Sequence, residues 1–144
     1  PDSVICFGEA GVRTSVFIER VAVNLLDFRL ADNGGTVVQD EPIVADGPAA
    51  YFTTLPVRAL QQAVAAAGIP AELSLSAGAF LCNQVTYELL HFLAQQQWPI
   101  PAGFVHLPFL PEQAASLPPK YPSMALDSMV TAVSTILRTL HTQL

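Results

Sequence analysis

Charged residues are scarce in this sequence, and basic residues are the scarcest. Only 12% of the 144 residues are charged, 6 of them are Lys or Arg, and the formal net charge is −6. Too few cations are present to neutralise a row of phosphates, which argues against nucleic acid as a partner. An average globular chain has about 25% charged residues. Because 51% of its residues are apolar, this chain is expected to bury apolar surface against copies of itself or against a segment that the sequence lacks.

Long apolar runs and a disulfide framework are lacking too. The apolar runs are short, and none approaches the roughly 20 residues that span a bilayer, so no membrane partner is expected. The two cysteines are too few for the disulfide framework of a small secreted chain. No secretory signal opens the sequence. These absences predict a cytoplasmic protein, in which Cys6 is a small buried hydrophobic residue.

The sequence begins inside a segment that is typical of a buried strand. Val4–Phe7 is apolar and lies between Pro1-Asp2 and the loop Gly8–Gly11, as in an interior strand of an α/β sheet. Residues are therefore expected to be missing upstream. A length of 144 residues fits one domain. We predict a single domain over residues 1–144, truncated at its N-terminus.

Strands alternate with helices along the chain. Apolar or alternating runs predict strands at Val4–Phe7, Ala71–Ser76 and Ala102–Leu107, an extended segment at Val16–Leu26, and hairpin arms at Thr36–Val38 and Pro42–Val44. Helical spacing predicts helices at Leu55–Ala67 and Leu81–Gln97, and a final helix from a Ser123 cap to about Leu140. This order predicts an α/β fold in which a mostly parallel sheet is covered by helices on both faces and a hairpin protrudes.

A cysteine and a histidine occupy positions that suit nucleophilic catalysis. Cys82 follows the turn at Gly78 and begins a predicted helix, where the helix dipole and unpaired amides favour a thiolate and can hold an oxyanion. His106 ends the next predicted strand, and sites gather at the carboxyl edge of open α/β sheets. Each residue alone is more often structural. The pair together predicts a cysteine nucleophile with a histidine base, projecting from one edge of adjacent strands.

A third group is needed to orient the imidazole of such a pair. Glu19 is the best candidate, because it lies between Ile18 and Val21 in an apolar segment where an unpaired charge is rare. The alternative is that Glu19 sits at the surface. Asp27 and Asp32 are the next candidates, although Asp32 opens the turn signal Asp32–Gly35.

Three segments around these residues resemble a known family. Ile18–Asn24, Ser76–Asn83 and Gly103–Pro108 are similar, in order and in spacing, to the signature segments of the pyroglutamyl peptidases, also called pyrrolidone-carboxylate peptidases. Ala49–Pro56 and Pro122–Met124 match as well. The resemblance covers essentially the whole chain.

The resemblance implies a cysteine peptidase that removes N-terminal 5-oxoproline from peptides through a thioester, without metal or cofactor. It implies a three-layer α/β/α sandwich and a homo-oligomer, commonly a tetramer. The implied roles are nucleophile for Cys82, base and then acid for His106, and orienting acid for Glu19. Arg29 would support the oxyanion, and three residues would line the ring pocket: Leu30, Phe80 and Leu81.

The sequence departs from the family pattern in two ways. The N-terminal third, with its Gly-Phe-x-Pro-Phe-Gly segment for the substrate pocket, is not in the sequence, so the chain alone is expected to be weakly active or inactive. Glu9 stands where many members have glutamine, and it is expected to lower activity or to face away from the site. The alternative function is a catalytically inactive fragment, serving as an interaction or assembly module. A phosphorylase-like role is disfavoured, because few Arg or His residues are placed for phosphate.

Overall fold

The computed structural model describes residues 1–31, 33–118 and 120–143. Its six strands are β1 (Val4–Glu9), β2 (Val16–Glu19), β3 (Val21–Val23), β4 (Ala50–Phe52), β5 (Ala71–Ser74) and β6 (Ala102–Leu107). Its helices are α1 (Val57–Ala66), α2 (Leu81–Gln95), the short α3 (Pro111–Ala115) and α4 (Leu126–His141). No helix in these ranges is long and apolar enough to cross a membrane.

Four strands form the central sheet in the order β1-β6-β2-β5. β1 runs parallel to β6, and β2 runs parallel to β5. The contact between β2 and β6 is antiparallel, with Phe17 opposite His106 and Ile18 opposite Val105. The predicted α/β fold and mostly parallel sheet are therefore confirmed, and the antiparallel pairing of β2 with β6 is the exception.

Alternation along the strands gives the sheet two apolar faces. Ile18 and Val105 point to a core that includes residues of α1 and α4, such as Leu60 and Ile136. On the other face, Ala102 packs with residues of α2 in a second cluster. Side chains two residues apart on a strand share a face, so His106 lies on the α2 face together with Ala102. The three layers that the resemblance implied are present.

The predicted hairpin is in the wrong place. Thr36–Val38 and Pro42–Val44 form no regular strands and do not pair with each other. This segment instead returns to residues 26–28: Leu26 forms a bridge with Glu41, and the Phe28 amide donates to the Val38 carbonyl. A two-stranded sheet is made instead by β3 and β4, with Val21 opposite Phe52, and it does not protrude, because Ala22 is buried against α2.

Two helix starts differ from the predictions. Ser123 does not cap the final helix, which begins at Leu126 after Ala125, because Ser123 forms a bridge with Phe109 instead. α1 begins at Val57 and not at Leu55 as predicted. The segment between β6 and α4 contains the single turn α3, and its Pro119 lies outside the described residues.

The predicted adjacency of the strands before Cys82 and His106 is wrong. β2 lies between β5 and β6, and because it is parallel to one and antiparallel to the other, β5 and β6 end at opposite edges of the sheet. The site is assembled because α2 starts over the face of the sheet, beside Gly8 and Phe104. Cys82 and His106 are thus brought together by a helix that starts over a face of the sheet, and not by two strands ending at one edge.

Candidate active site

Cys82 lies in the first turn of α2, and no side chain caps that turn. The N-cap is Phe80, whose backbone is extended (φ −109°, ψ −159°) and whose side chain cannot accept a hydrogen bond. Amides in the first turn of a helix have no partner within the helix. They point, with the positive end of the helix dipole, towards any negative charge that develops at this end. An uncapped start therefore suits a thiolate and an oxyanion.

Gly8 permits the close approach of α2 to the sheet. It lies in β1 directly opposite His106. A Cβ at Gly8 would come 2.6 Å from Cζ of Phe104 and 3.3 Å from Sγ of Cys82. The first distance is shorter than real contacts allow, so only glycine fits without displacing the Phe104 ring. The absence of a side chain at Gly8 thus leaves room for the sulfur next to the histidine strand.

Glu19 and His106 form a buried pair. Nδ1 of His106 donates a hydrogen bond to Oε1 of Glu19 over 2.8 Å, and the two side chains are 5% and 0% exposed. In the described part of the chain, the other carboxylate oxygen, Oε2, has no hydrogen-bond partner. The carboxylate is therefore directed at the imidazole alone. The antiparallel pairing of β2 with β6 lets Glu19 reach His106. Phe17 lies opposite His106, and Glu19 is on the same face of β2, two residues further along.

His106 is held as an imidazolium by its two neighbours. Burial lowers the pKa of His106, but hydrogen bonds to the Cys82 and Glu19 side chains and the charges of those groups raise it, so that the net pKa is raised from 6.5 to about 9. Nδ1 is used by Glu19, which leaves Nε2 to exchange a proton with the Cys82 thiol. The Phe104 ring, whose centroid is 4.8 Å from that of His106, packs against the imidazole and restricts its rotation.

The space beside Cys82 is an open, apolar pocket of about 410 Å³. It is lined by Cys6, Phe7, Gly8, Leu81, Cys82, Val85 and Phe104. Cys6 is half-buried here, and burial raises the pKa of its thiol. The prediction of Cys6 as a packing residue is therefore refined: it lines the same pocket as Cys82, but its surroundings disfavour the thiolate.

The three residues predicted for the ring pocket do not lie together. Leu81 lines the pocket beside Cys82, whereas Phe80 packs edge-on against Phe28 with centroids 4.7 Å apart. Leu30 is 68% exposed and is not part of the pocket lining. Arg29 is also exposed, and its side chain makes no hydrogen bond or ion pair with any residue in the described ranges. Their predicted roles remain predictions.

Glu9 faces away from Cys82. Its side chain accepts a hydrogen bond from Nε2 of Gln113 over 2.6 Å, on the side of β1 opposite to the Gly8 position that touches Cys82. There it borders a larger apolar cavity of about 530 Å³ beside α4. No cysteine or histidine is among the described residues that line that cavity, so it is not the candidate active site despite its size.

The other predicted candidates for the orienting acid play no part in the site. Asp27 is exposed, and its backbone amide donates to the Ala79 carbonyl. Asp32 lies outside the described residues. No group of three His, Cys, Asp or Glu side chains placed to hold a metal ion is found in the part of the chain that the structure describes.

Sequence reasoning missed Gly8 and Phe104 as parts of the site. Gly8 was assigned to a loop, but β1 continues through it to Glu9. The signal that could have found both residues is register: Gly8 pairs with His106, and Phe104 lies two residues before it on the same face. That pairing cannot be deduced from the sequence without knowing which strands are neighbours.

Comparison with known proteins shows which family this chain belongs to. The family model described as pyroglutamyl peptidase matches residues 1–143. The chain belongs to the pyroglutamyl peptidase family. The family membership that the three sequence segments predicted is thereby confirmed.

The similarity to individual proteins extends over most of the chain. The pyrrolidone-carboxylate peptidase of Pectobacterium carotovorum is 51% identical over 138 residues, which are 96% of this chain and 64% of that protein. The one from Bacillus cereus is 49% identical over 90% of this chain and 60% of its own length. This chain thus spans slightly less than two thirds of these relatives.

Solved structures agree with the fold. The pyroglutamyl peptidase I from Bacillus amyloliquefaciens is 38% identical with a TM-score of 0.92, covering 97% of this chain and 66% of that one. A variant of the pyrrolidone carboxyl peptidase from Pyrococcus furiosus is 40% identical with a TM-score of 0.95, covering 100% and 71%.

Proposed function

We propose that this pyroglutamyl peptidase family member is a cysteine exopeptidase that hydrolyses the N-terminal 5-oxoprolyl residue from peptides. The observation that carries the proposal is the buried Glu19–His106 pair, with the Cys82 side chain near enough at an uncapped helix start to raise the pKa of His106. A nucleophile, a base and an orienting acid in this arrangement support acyl transfer.

In the acylation step, the Cys82 thiolate attacks the exocyclic carbonyl carbon of the 5-oxoprolyl residue. A carbon–sulfur bond forms, and the carbonyl π electrons move onto oxygen. Free amides of the first turn of α2 are placed to donate to this oxyanion. The imidazolium of His106 then gives its proton to the leaving nitrogen. The carbon–nitrogen bond breaks, the shortened peptide leaves with a free amine, and a thioester remains on Cys82.

In the deacylation step, His106 is neutral and takes a proton from water. The resulting hydroxide equivalent attacks the thioester carbon, and the carbon–sulfur bond breaks. Free 5-oxoproline leaves, and the sulfur departs as the thiolate. The proton held by His106 restores the imidazolium–thiolate pair with which the cycle began.

Glu19 orients the ring and stabilises its charge throughout the cycle. The hydrogen bond from Nδ1 fixes the tautomer that presents Nε2 to the sulfur. Because Glu19 is 1% exposed, its carboxylate is little screened by water, and its attraction to the imidazolium is correspondingly strong.

The surroundings of Cys82 fit a substrate without a free α-amino group. The pocket lining is apolar apart from the two thiols, and a small neutral lactam can enter such a pocket without losing an ion pair. We propose N-terminally pyroglutamylated peptides as substrates, and no nucleic acid or membrane as a partner. A cytoplasmic location would keep the Cys82 thiol reduced.

We also propose that the protein forms a homo-oligomer, a tetramer, as the family resemblance implies. Leu126, Val130 and Leu137 lie four and seven residues apart on α4 and are 51–58% exposed. Residues with this spacing share one helix face, and an exposed apolar stripe is typical of a surface that another chain covers. The region around Thr36–Val44, the other predicted surface, exposes a single large apolar residue within its described part, Val37.

Release of a fluorescent amine from a pyroglutamyl amide tests the proposed activity. It should be measured on this chain and on a chimaera in which the chain replaces the matched 138 residues of the Pectobacterium relative. We expect the chimaera to be active and its Cys82→Ala variant to be inactive. A folded chimaera without turnover, beside an active relative, would refute the proposal.

The second candidate is an inactive interaction module with the same fold. It is favoured by the openness of the pocket and by the 68% exposure of Leu30, a residue expected to line it. The same chimaera separates the two candidates, because an inactive module would gain no turnover from the rest of the relative.

A further inference from the structure

Asn83 is a buried amide that follows the proposed nucleophile in the chain. It is 1% exposed, and its side chain binds only backbone. Oδ1 accepts from the Val23 amide over 2.9 Å, and Nδ2 donates to the carbonyls of Val23 over 2.9 Å and Leu25 over 3.2 Å. The Asn83 side chain is thus hydrogen-bonded to both the amide and the carbonyl of Val23, as the backbone of a neighbouring strand would be.

These hydrogen bonds join the start of α2 to a segment that is fixed from the other side. Val23 also pairs with Ala50 in the two-stranded sheet. Because this pairing holds β3 in place, α2 cannot rotate without breaking its hydrogen bonds to β3. Two further contacts hold the segment after β3 to the chain just before the helix: the Asp27 amide donates to the Ala79 carbonyl, and Phe28 packs against Phe80. The first turn of α2 therefore has a fixed rotation relative to the sheet.

The rotation of that turn decides where the sulfur lies. The sulfur of Cys82 lies beside Gly8, in a pocket that Phe104 also lines, and near His106. Successive residues of a helix are about 100° apart around its axis. A small rotation at Asn83 therefore moves the sulfur off this position. A displacement of about 1 Å from the productive geometry can cost about a hundredfold in rate.

We propose that Asn83 is a positioning residue that sets the location of the Cys82 thiolate relative to His106 by clamping the first turn of α2 to β3. The effect of this positioning on catalysis rests on the proposed function. The placement of the thiol itself can be measured whether or not the chain turns over a peptide.

The test measures how fast iodoacetamide alkylates Cys82 as a function of pH, in a Cys6→Ser background so that only one thiol reacts. Asn83→Ala removes all three hydrogen bonds. Asn83→Ser keeps a hydroxyl and is the variant to use if the alanine variant does not fold. The matched control is Tyr87→Phe, which removes another buried hydrogen bond of α2, the one from Tyr87 to the Pro48 carbonyl, away from the first turn.

We expect Asn83→Ala to lower the alkylation rate near neutral pH by at least about fivefold and to move the pH profile to higher pH, because the thiolate loses its imidazolium partner. Tyr87→Phe should leave both unchanged. A smaller fall at Asn83, or an equal fall in Tyr87→Phe, would overturn the proposal.

Turnover of a pyroglutamyl amide by the chimaera provides a separate measurement. There Asn83→Ala should lower kcat more than it raises KM, since it displaces the reacting sulfur and not the substrate. If the unmodified chimaera shows no turnover while the alkylation difference is present, the proposed function fails and the positioning role of Asn83 stands. A change in KM alone would overturn the positioning role.

Discussion

The stabilisation that His106 gives to this protein should fall as the pH rises through the range in which His106 titrates. The pKa of His106 is raised from 6.5 to about 9 in the folded chain. Between these values His106 holds a proton in the folded state that it has released in the unfolded state, so its own contribution to the free energy of unfolding decreases with increasing pH. The stabilisation is fully present below about 6.5 and is lost by about 9. At about 1.4 kcal/mol per pH unit, this interval corresponds to a loss of up to about 3 kcal/mol.

Glu19→Gln tests the origin of this loss. The amide keeps the size of the side chain but removes the charge that stabilises the imidazolium, while the interaction with Cys82 remains. Hydrogen bonds to charged groups contribute roughly 1.5–3 kcal/mol, so the variant should lose a large part of the pH dependence. Glu112→Gln is the matched control, because Glu112 is exposed in α3.

The assay is urea denaturation at a series of pH values between 6 and 10, with the free energy of unfolding obtained by linear extrapolation. We expect the wild-type and Glu112→Gln curves to run in parallel, and the stability advantage of the wild type over Glu19→Gln to shrink as the pH rises. A Glu19→Gln curve parallel to the wild-type curve would refute the account of His106 as an imidazolium stabilised by Glu19.

Three further predictions concern the sulfur and its surroundings. Cys82→Ala in the active chimaera should abolish turnover while Cys6→Ala keeps it, and the opposite result in a pyroglutamyl amide assay would show that the nucleophile is misassigned. His106→Ala should lower kcat by roughly 10³-fold or more, and stopped-flow traces with an unchanged rate would contradict its role as base. Gly8→Ala should lower both the melting temperature and kcat, because the added methyl displaces Phe104; an unchanged melting curve would show that the ring has room to move.

The elements of the fold were predictable where one face of each is apolar. Ala102–Leu107 was predicted with its observed bounds, and α2 begins at Leu81 as predicted. Periodicity marks such segments because burial on one face repeats every two or 3.6 residues. Strand order and direction leave no such mark. The antiparallel β2 was therefore not predicted, although it carries Glu19.

The residues of the proposed triad could be found from the sequence, but the structure brings them together in a different way from the one predicted. Cys82 and His106 were expected on adjacent strands, whereas β2 separates β5 from β6. The sequence signal was chemical: a cysteine at a helix start and a histidine at a strand end are each more often structural, but together with an acid in an apolar segment they suit nucleophilic catalysis. The hairpin was misplaced because Thr36–Val38 and Pro42–Val44 have the composition of strands but bond elsewhere: Val38 pairs back with Phe28.

The central claim is that Cys82 carries the 5-oxoprolyl group during turnover. The most direct measurement is the mass of the protein quenched with acid within milliseconds of mixing the active chimaera with a pyroglutamyl ester, followed by peptide mapping. The account predicts a 5-oxoprolyl adduct on the peptide that contains Cys82, decaying at the rate of product release and missing from Cys82→Ala. An adduct on the peptide that contains Cys6 would contradict the account. Steady hydrolysis with no adduct on any residue, under conditions in which deacylation limits turnover, would contradict it too.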